Sequence, residues 1–178
     1  MKKLLLGIAA VCLAGFTFAQ DAPLWMRHSV ISPDGTTIAF TYKGDIYTVP
    51  VAGGRAMQIT TNPAYDTAPV WSPDSKRIAF ASDRMGSLDV YIVAKDGGEP
   101  RRLTTHSGSE TPLAFTDAGH VLFSAGIMPS AEAVVFPSNG QFNQVYRVSV
   151  EGGRPTMISS MPMAVSYTHL RAHETKAN

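Results

Sequence analysis

The sequence predicts an all-β protein, a partial β-propeller of about three four-stranded antiparallel blades. Three observations predict it. One set of motifs recurs three times along the chain. Each copy joins short runs of strand-forming residues through turn residues. The composition agrees: among 178 residues there are 15 Gly and 12 Pro, and only 16% are charged. That balance suits turn-rich sheets better than a helical bundle or a disordered tail. With 44% hydrophobic residues the chain is long enough for one domain with a core of its own.

The first copy opens on Ser32-Pro33-Asp34-Gly35, continues through Thr37-Ile38-Ala39-Phe40-Thr41-Tyr42 and Asp45-Ile46-Tyr47-Thr48-Val49-Pro50-Val51, and closes on Gly53-Gly54 and Met57-Gln58-Ile59-Thr60. Forty residues on, Ser72-Pro73-Asp74-Ser75 leads into Arg77-Ile78-Ala79-Phe80-Ala81-Ser82, then Leu88-Asp89-Val90-Tyr91-Ile92-Val93, Gly97-Gly98 and Arg101-Arg102-Leu103-Thr104. A looser third copy runs from Thr116-Asp117-Ala118-Gly119 through His120-Val121-Leu122-Phe123-Ser124 and Val145-Tyr146-Arg147-Val148-Ser149-Val150 to Gly152-Gly153 and Met157-Ile158-Ser159. Gly53 and Gly97 are 44 residues apart, Gly97 and Gly152 55. A period near 40–45 residues with four short strands is the mark of a propeller blade. The excess in the third copy is assigned to a loop between about Gly126 and Asn143.

The blades are placed at about residues 24–61, 66–105 and 110–160, within an incomplete propeller over residues 20–164. In the second copy the strands are expected at residues 68–71, 77–82, 88–94 and 101–104, from the inner strand outward. Alternation in residues 46–51 and 90–93 suits strands with at least one buried face. Ser-Pro-Asp-Gly is a turn: Pro33 fixes one dihedral, Asp34 can bond the local backbone, and Gly35 takes a positive φ. Ser75 in that place should cost a little if the conformation is kept. The three Gly pairs share one phase and read as hairpin turns, since no helix follows them to make a phosphate cradle. Trp71, Phe80, Tyr91 and Leu103 are expected to pack between blades. Ile31, Phe40, Tyr47 and Ile59 are their counterparts in copy one, and Phe115, Phe123, Tyr146 and Ile158 in copy three. These aromatics read as core, not as a ligand cage.

The two ends follow other rules. Residues 1–19 read as a secretory signal: Lys2 and Lys3, an apolar run over residues 4–14, and Thr17-Phe18-Ala19 before a cut ahead of Gln20. The run is shorter than the about 20 residues of a membrane span. Cys12, the chain's single cysteine, leaves with it, so neither a disulfide framework nor a cysteine zinc site is expected. Bulky Val11 argues against a lipoprotein cut there. The expected location is periplasmic or secreted, with no membrane attachment after cleavage. Residues 165–178 break every earlier pattern and resemble the read-through of a transposase adapter used in sequencing libraries. They are expected to be artefactual, with the gene continuing past Ala164, and the four-residue spacing of His169 and His173 is therefore discounted as a metal motif. Of 15 basic residues, setting aside Lys2, Lys3, Arg171 and Lys176 leaves 11; of 14 acidic residues, setting aside Glu174 leaves 13. A segment near −2 is no nucleic-acid binder.

The run Trp71-Ser72-Pro73-Asp74-Ser75-Lys76-Arg77-Ile78-Ala79-Phe80-Ala81-Ser82-Asp83-Arg84, with Asp89-Val90-Tyr91-Ile92 and Gly98-Glu99-Pro100-Arg101-Arg102-Leu103-Thr104, resembles propeller repeats of the TolB and tricorn type. The likeness covers roughly residues 24–160. The opening over residues 23–35, the segment over residues 42–54 and the insertion with Val135-Phe136-Pro137 are similar to exported tricorn-like serine peptidases. In that family further β, PDZ-like and catalytic regions follow the propeller, and the catalytic serine and its base lie far downstream. No position here matches them.

The residues themselves agree. There is no Gly-x-Ser-x-Gly elbow and no His-Glu-x-x-His helix. His28, His106 and His120 fall in different repeat phases. His106 with Ser107, Ser109 and Glu110 has triad residue types but reads as one solvated inter-blade loop, because a nucleophile and its base must converge from separate elements. Asp83-Arg84 is expected as an ion pair at a turn, and Arg101-Arg102 as solvent-facing charge guarding an outer edge. No catalytic, cofactor-binding or metal-ligating residue is assigned, and no cofactor. The expected function is a non-catalytic propeller fragment that gates or sorts peptides for a downstream serine-peptidase domain. Its partners would be peptide or protein substrates of the parent enzyme and the parent's remaining blades, PDZ-like and catalytic domains. The alternative is a TolB-like periplasmic interaction propeller without enzymatic activity.

Overall fold

The computed structural model describes residues 25–126 and 143–159. Twelve strands form three four-stranded antiparallel sheets. Blade 1 holds β1 (Arg27–Ile31), β2 (Thr37–Tyr42), β3 (Asp45–Pro50) and β4 (Met57–Gln58). Blade 2 holds β5 (Asp66–Trp71), β6 (Arg77–Ser82), β7 (Asp89–Ala94) and β8 (Arg101–Arg102). Blade 3 holds β9 (Glu110–Asp117), β10 (His120–Ala125), β11 (Gln144–Ser149) and β12 (Thr156–Ser159). Strands pair in chain order within each sheet, as connections between sequence neighbours usually do. No helix of the described residues is long and apolar enough to cross a membrane. The signal assignment over residues 1–19, the insertion over residues 127–142 and the tail over residues 165–178 lie outside the described residues, as do Cys12, His169 and His173.

The turn chemistry is as the sequence predicts. Ser32 Oγ donates to Asp34 Oδ1 at 2.5 Å, and Asp34 Oδ1 accepts the Thr36 N–H at 3.0 Å. Ser72 and Asp74 repeat the arrangement. Gly35 has φ +71° and Ser75 keeps the left-handed conformation at φ +56°. Ser75 is compensated, because its hydroxyl accepts the Asp34 N–H from blade 1 at 3.1 Å.

Register sets the packing. Phe40 faces Tyr47, Phe80 faces Tyr91 and Phe123 faces Tyr146 as direct cross-strand partners. Each pair stacks, with ring centroids 5.8, 6.0 and 5.6 Å apart. The innermost strand bulges opposite Phe40 and Phe80, and in blade 3 between the partners of Leu122 and Phe123; in the first two blades the bulge puts His28 (φ +50°) and Ala68 (φ +51°) in the left-handed region.

Alternation along β6 then sends successive side chains to opposite seams. At the first seam Trp71, Ile78, Phe80, Tyr91 and Val93 of blade 2 form one core with Ala39, Ile46 and Ile59 of blade 1. The second seam joins Ala79, Val90, Ile92 and Leu103 of blade 2 to the blade 3 set that includes Val121, Phe123 and Tyr146. Each fully buried large side chain contributes about 1.5–3 kcal/mol of hydrophobic stabilisation. Trp71 also donates its indole N–H to the Val30 carbonyl across the first seam at 3.2 Å.

Two expected inter-blade residues are corrected. Ile31 is 58% exposed and Ile158 is 52% exposed. Ile31 pairs with Ile38 as Trp71 pairs with Ile78, so both lie on the outer face of blade 1. Ile158 occupies the place of Leu103, on the outer face of blade 3. No described blade lies beyond either face.

Candidate functional site

Each seam carries a polar cluster where the third strand starts and the next blade begins. In β3 and β7 the first residue is Asp, and a Thr just past the outer strand caps the following backbone N–H: Thr60 Oγ1 accepts from Ile46 at 3.0 Å, and Thr104 Oγ1 from Val90 at 2.9 Å. That hydroxyl takes a donor the ladder would otherwise use. The next blade then opens on a buried acid, Asp66 or Glu110.

At the first seam the acid is fully matched. Arg84 Nη2 lies 3.0 Å from both Asp66 oxygens, and its Nε donates to Ser82 Oγ at 2.8 Å. The same guanidinium lies 4.5 Å from the Tyr91 ring centroid. Asp45 approaches from blade 1 and accepts from Gln58 at 3.0 Å and from Thr60 at 3.3 Å. Burial, helped by the Asp66 charge, holds its carboxyl above the usual range against those hydrogen bonds.

The second seam is less well matched. Arg102 Nη2 lies 2.8 Å from Asp89 Oδ2, and Asp89 is wholly buried. Glu110 is 1% exposed and its Oε2 has no hydrogen-bond partner. Burial and the Asp89 charge push Glu110 up to about 7, opposed by a hydrogen bond with Thr104 and by the Arg102 charge. Asp66, Asp89 and Glu110 are buried, and the two ion pairs, Arg84 with Asp66 and Arg102 with Asp89, each lie within blade 2.

Three expectations change here. Arg84 pairs with Asp66 and not with Asp83, whose Oδ1 instead accepts the Tyr65 N–H at 2.7 Å. Arg102 is no solvent-facing guard but the partner of a buried acid. Arg101 does face solvent, yet it crosses to blade 3 and pairs with Glu151 at 2.9 Å while donating to the Val150 carbonyl. Glu110 leaves the loop of His106, Ser107 and Ser109 and begins β9. His106 Nδ1 accepts the Gly108 N–H at 3.0 Å within that exposed loop. His28 Nδ1 meets Thr67 Oγ1 at 3.0 Å across the first seam, and His120 pairs with Asp117 at 3.0 Å. The three histidines do not converge. Among the described residues no group of three or more His, Cys, Asp or Glu is arranged to hold a metal ion.

Two open hollows lie among the described residues. One of about 510 Å³ runs along the outer side of the first seam and is lined by Ile59, Arg84, Tyr91 and Pro100 among others. The other, of about 420 Å³, is lined by Trp25, Arg27, Thr41, Lys43, Gly44 and Tyr65. Trp25 is 72% exposed there, with the Arg27 guanidinium 5.7 Å from its ring. Nothing in the repeat pattern announces this hollow, because Trp25 precedes the first motif.

Comparison with known proteins adds to this geometry. The family described as the tricorn protease N-terminal beta propeller domain matches residues 23–176. Tricorn protease homolog 1 of Streptomyces coelicolor is 35% identical over 102 residues, which is 57% of this chain and 9% of that protein. The uncharacterized peptidase YuxL of Bacillus subtilis is 30% identical over 129 residues, 71% of this chain and 20% of that protein. This chain therefore spans a fifth or less of these two relatives. Among solved structures, the putative TolB from Agrobacterium tumefaciens superposes with a TM-score of 0.61 at 22% identity, covering 78% of this chain and 50% of that one.

Proposed function

Since the chain belongs to the family of tricorn protease N-terminal beta propeller domains, we propose that it serves as the non-catalytic propeller of an exported tricorn-like serine peptidase, sorting or admitting peptides for a catalytic domain encoded downstream. One observation carries the reading: the likeness to a tricorn protease homolog extends over the blades and over only 9% of that protein. The buried acids agree with it, since Asp66 and Asp89 are each taken up by an arginine of their own blade and are not free for chemistry. The exposed Trp25 hollow, with Arg27 and Lys43 at its side, offers a passing peptide apolar and cationic contact. Export rests on the leader over residues 1–19.

The test is the gene beyond the codon for Ala164. A PDZ-like module and a serine-peptidase domain downstream are expected. A gene that ends after a few hundred residues with a small α/β domain would replace this reading with a TolB-like docking propeller. Hydrolysis of a peptide panel by the pure 178-residue chain would contradict the non-catalytic role.

A further inference from the structure

The hollow lined by Trp25, Arg27, Thr41, Lys43, Gly44 and Tyr65 lies at one end of the first seam, between two described blades. Arg27 pairs with Thr41 across β1 and β2, and Thr41 pairs with Ile46 across β2 and β3. Cross-strand partners share a face, and Ile46 belongs to the first-seam core, so this is the side of blade 1 that meets blade 2. Tyr65 enters from the head of blade 2, which the Asp66 N–H ties to the Gly44 carbonyl at 2.7 Å. The opposite side of blade 1, that of Phe40 and Tyr47, takes no part.

The lining holds two exposed cations and no carboxylate. Among the described residues neither cation enters an ion pair. What each meets is a ring: the Arg27 guanidinium lies 5.7 Å from that of Trp25, and Lys43 Nζ 5.4 Å from that of Tyr42. In the wall, Thr41 Oγ1 is buried without a hydrogen-bond partner. Lys43 also stands against the preference of its backbone. Lys43 and Gly44 are the two-residue connection between Tyr42 and Asp45, with φ +52° and +90°, the pattern of a type I′ hairpin turn. Asn, Asp or Gly suits the first of these places, and a lysine there costs the turn stability. Trp25 has φ +82° with its ring 72% exposed. Backbone strain of this kind at bulky residues gathers at binding sites.

We propose that this hollow is a subsite for an extended peptide segment in which an aromatic residue is flanked by Asp or Glu. The aromatic side chain lies against Trp25 and Tyr65, and the neighbouring carboxylates pair with Arg27 and Lys43. A volume of about 420 Å³ is within the range of ligand pockets. The hollow is open, so a chain can run through it and the carboxylate is that of a side chain, not of a terminus. The inference rests on the peptide-handling reading above and names the class of peptide it favours.

The test is the fluorescence anisotropy of a fluorescein-labelled, C-terminally amidated octapeptide carrying Phe between two Asp, titrated with the full chain. Asn in place of both Asp should weaken binding about fivefold, and a free C-terminus should change nothing. The unlabelled peptide should shift the Trp25 emission to the blue, the other tryptophan, Trp71, being only 8% exposed. Trp25→Ala should weaken binding on the order of tenfold. Arg27→Glu combined with Lys43→Glu should invert the preference, so that a peptide with Lys in place of Asp binds better. Lys43→Asn separates the site from the fold: it should raise the thermal midpoint while weakening the acidic peptide alone. Arg55→Glu, at the far end of β3, should leave binding unchanged. All these positions are exposed, so far-ultraviolet circular dichroism should be kept. No binding, equal binding of the Asp and Asn peptides, or binding unmoved by Trp25→Ala or the double reversal would overturn the proposal. So would a single-stranded oligothymidylate bound as tightly as the acidic peptide. Those results leave the peptide-handling reading standing, whereas a gene without a downstream peptidase domain removes that reading whatever the hollow binds.

Discussion

Arg84 holds both carboxylate oxygens of Asp66 at 3.0 Å, and Asp66 has no exposure to solvent. The charge of Asp66 is tolerable at the first seam only because this guanidinium reaches it from the connection between β6 and β7. Arg84→Ala should therefore cost about 3–5 kcal/mol of stability, the range for stranding one member of a buried pair. Arg84→Lys should recover only part, because an ammonium has no second nitrogen to hold Ser82 Oγ while it pairs with Asp66. Urea unfolding midpoints measure both, and a loss below about 1 kcal/mol for the alanine variant would contradict the role given to the pair.

The second seam predicts a pH dependence. Glu110 is held up at about 7 in the fold, above its ordinary 4.5. The folded protein therefore binds a proton that the unfolded chain releases. The stabilisation is complete below about 4.5 and is lost as pH rises to about 7, a decline on the order of 3 kcal/mol. Thermal midpoints taken across that window should fall with rising pH. In Glu110→Gln the slope should flatten. An unchanged slope in that variant would assign the effect to other groups.

Ser75 accepts the Asp34 N–H while holding a left-handed φ. Ser75→Ala keeps the backbone strain and loses the bond, and should cost about 1 kcal/mol. Ser75→Gly loses the bond but relieves the strain, so it should lie close to the unaltered protein. Chemical denaturation separates the two, and an alanine variant as stable as the glycine variant would contradict this.

Leu103 is 3% exposed in the second seam. Leu103→Ala should cost about 2–5 kcal/mol by leaving a cavity between blades 2 and 3. The same denaturation measurement checks it, and a cost below about 1 kcal/mol would mean that the seam is not closed there.

Much of this fold is legible because the blade repeats. Strands β6 and β7 lie within one residue of the positions expected from sequence, since alternation and flanking turns bound them closely. The inner strand of blade 2 starts two residues earlier than expected, at Asp66, because the Asp66 N–H is drawn to the Gly44 carbonyl at 2.7 Å in the neighbouring blade. The outer strand ends earlier, at Arg102, because the Thr104 side chain takes the Val90 N–H. What the pattern hides is the fate of charges. Asp66, Asp89 and Glu110 sit at strand heads, where a carboxylate reads as solvent-facing, and their burial depends on partners from 13 to 18 residues away or on the adjoining blade. The recurrence of Asp45 with Thr60 and Asp89 with Thr104 was the available signal. Exposure of Ile31 and Ile158 was hidden too, because a repeat assigns every copy the same neighbours, and among the described residues no blade lies beyond the first or the third.

The whole account rests on sheets stacked in chain order, and the indole N–H of Trp71 reports on that contact directly. It donates to the Val30 carbonyl of the preceding blade at 3.2 Å. In a nuclear Overhauser spectrum of the full chain, this proton should show cross-peaks to Val30 and exchange slowly with solvent, while the exposed Trp25 indole exchanges fast. A Trp71 indole with contacts only to its own sheet, exchanging as fast as that of Trp25, would contradict the stacking of blade on blade.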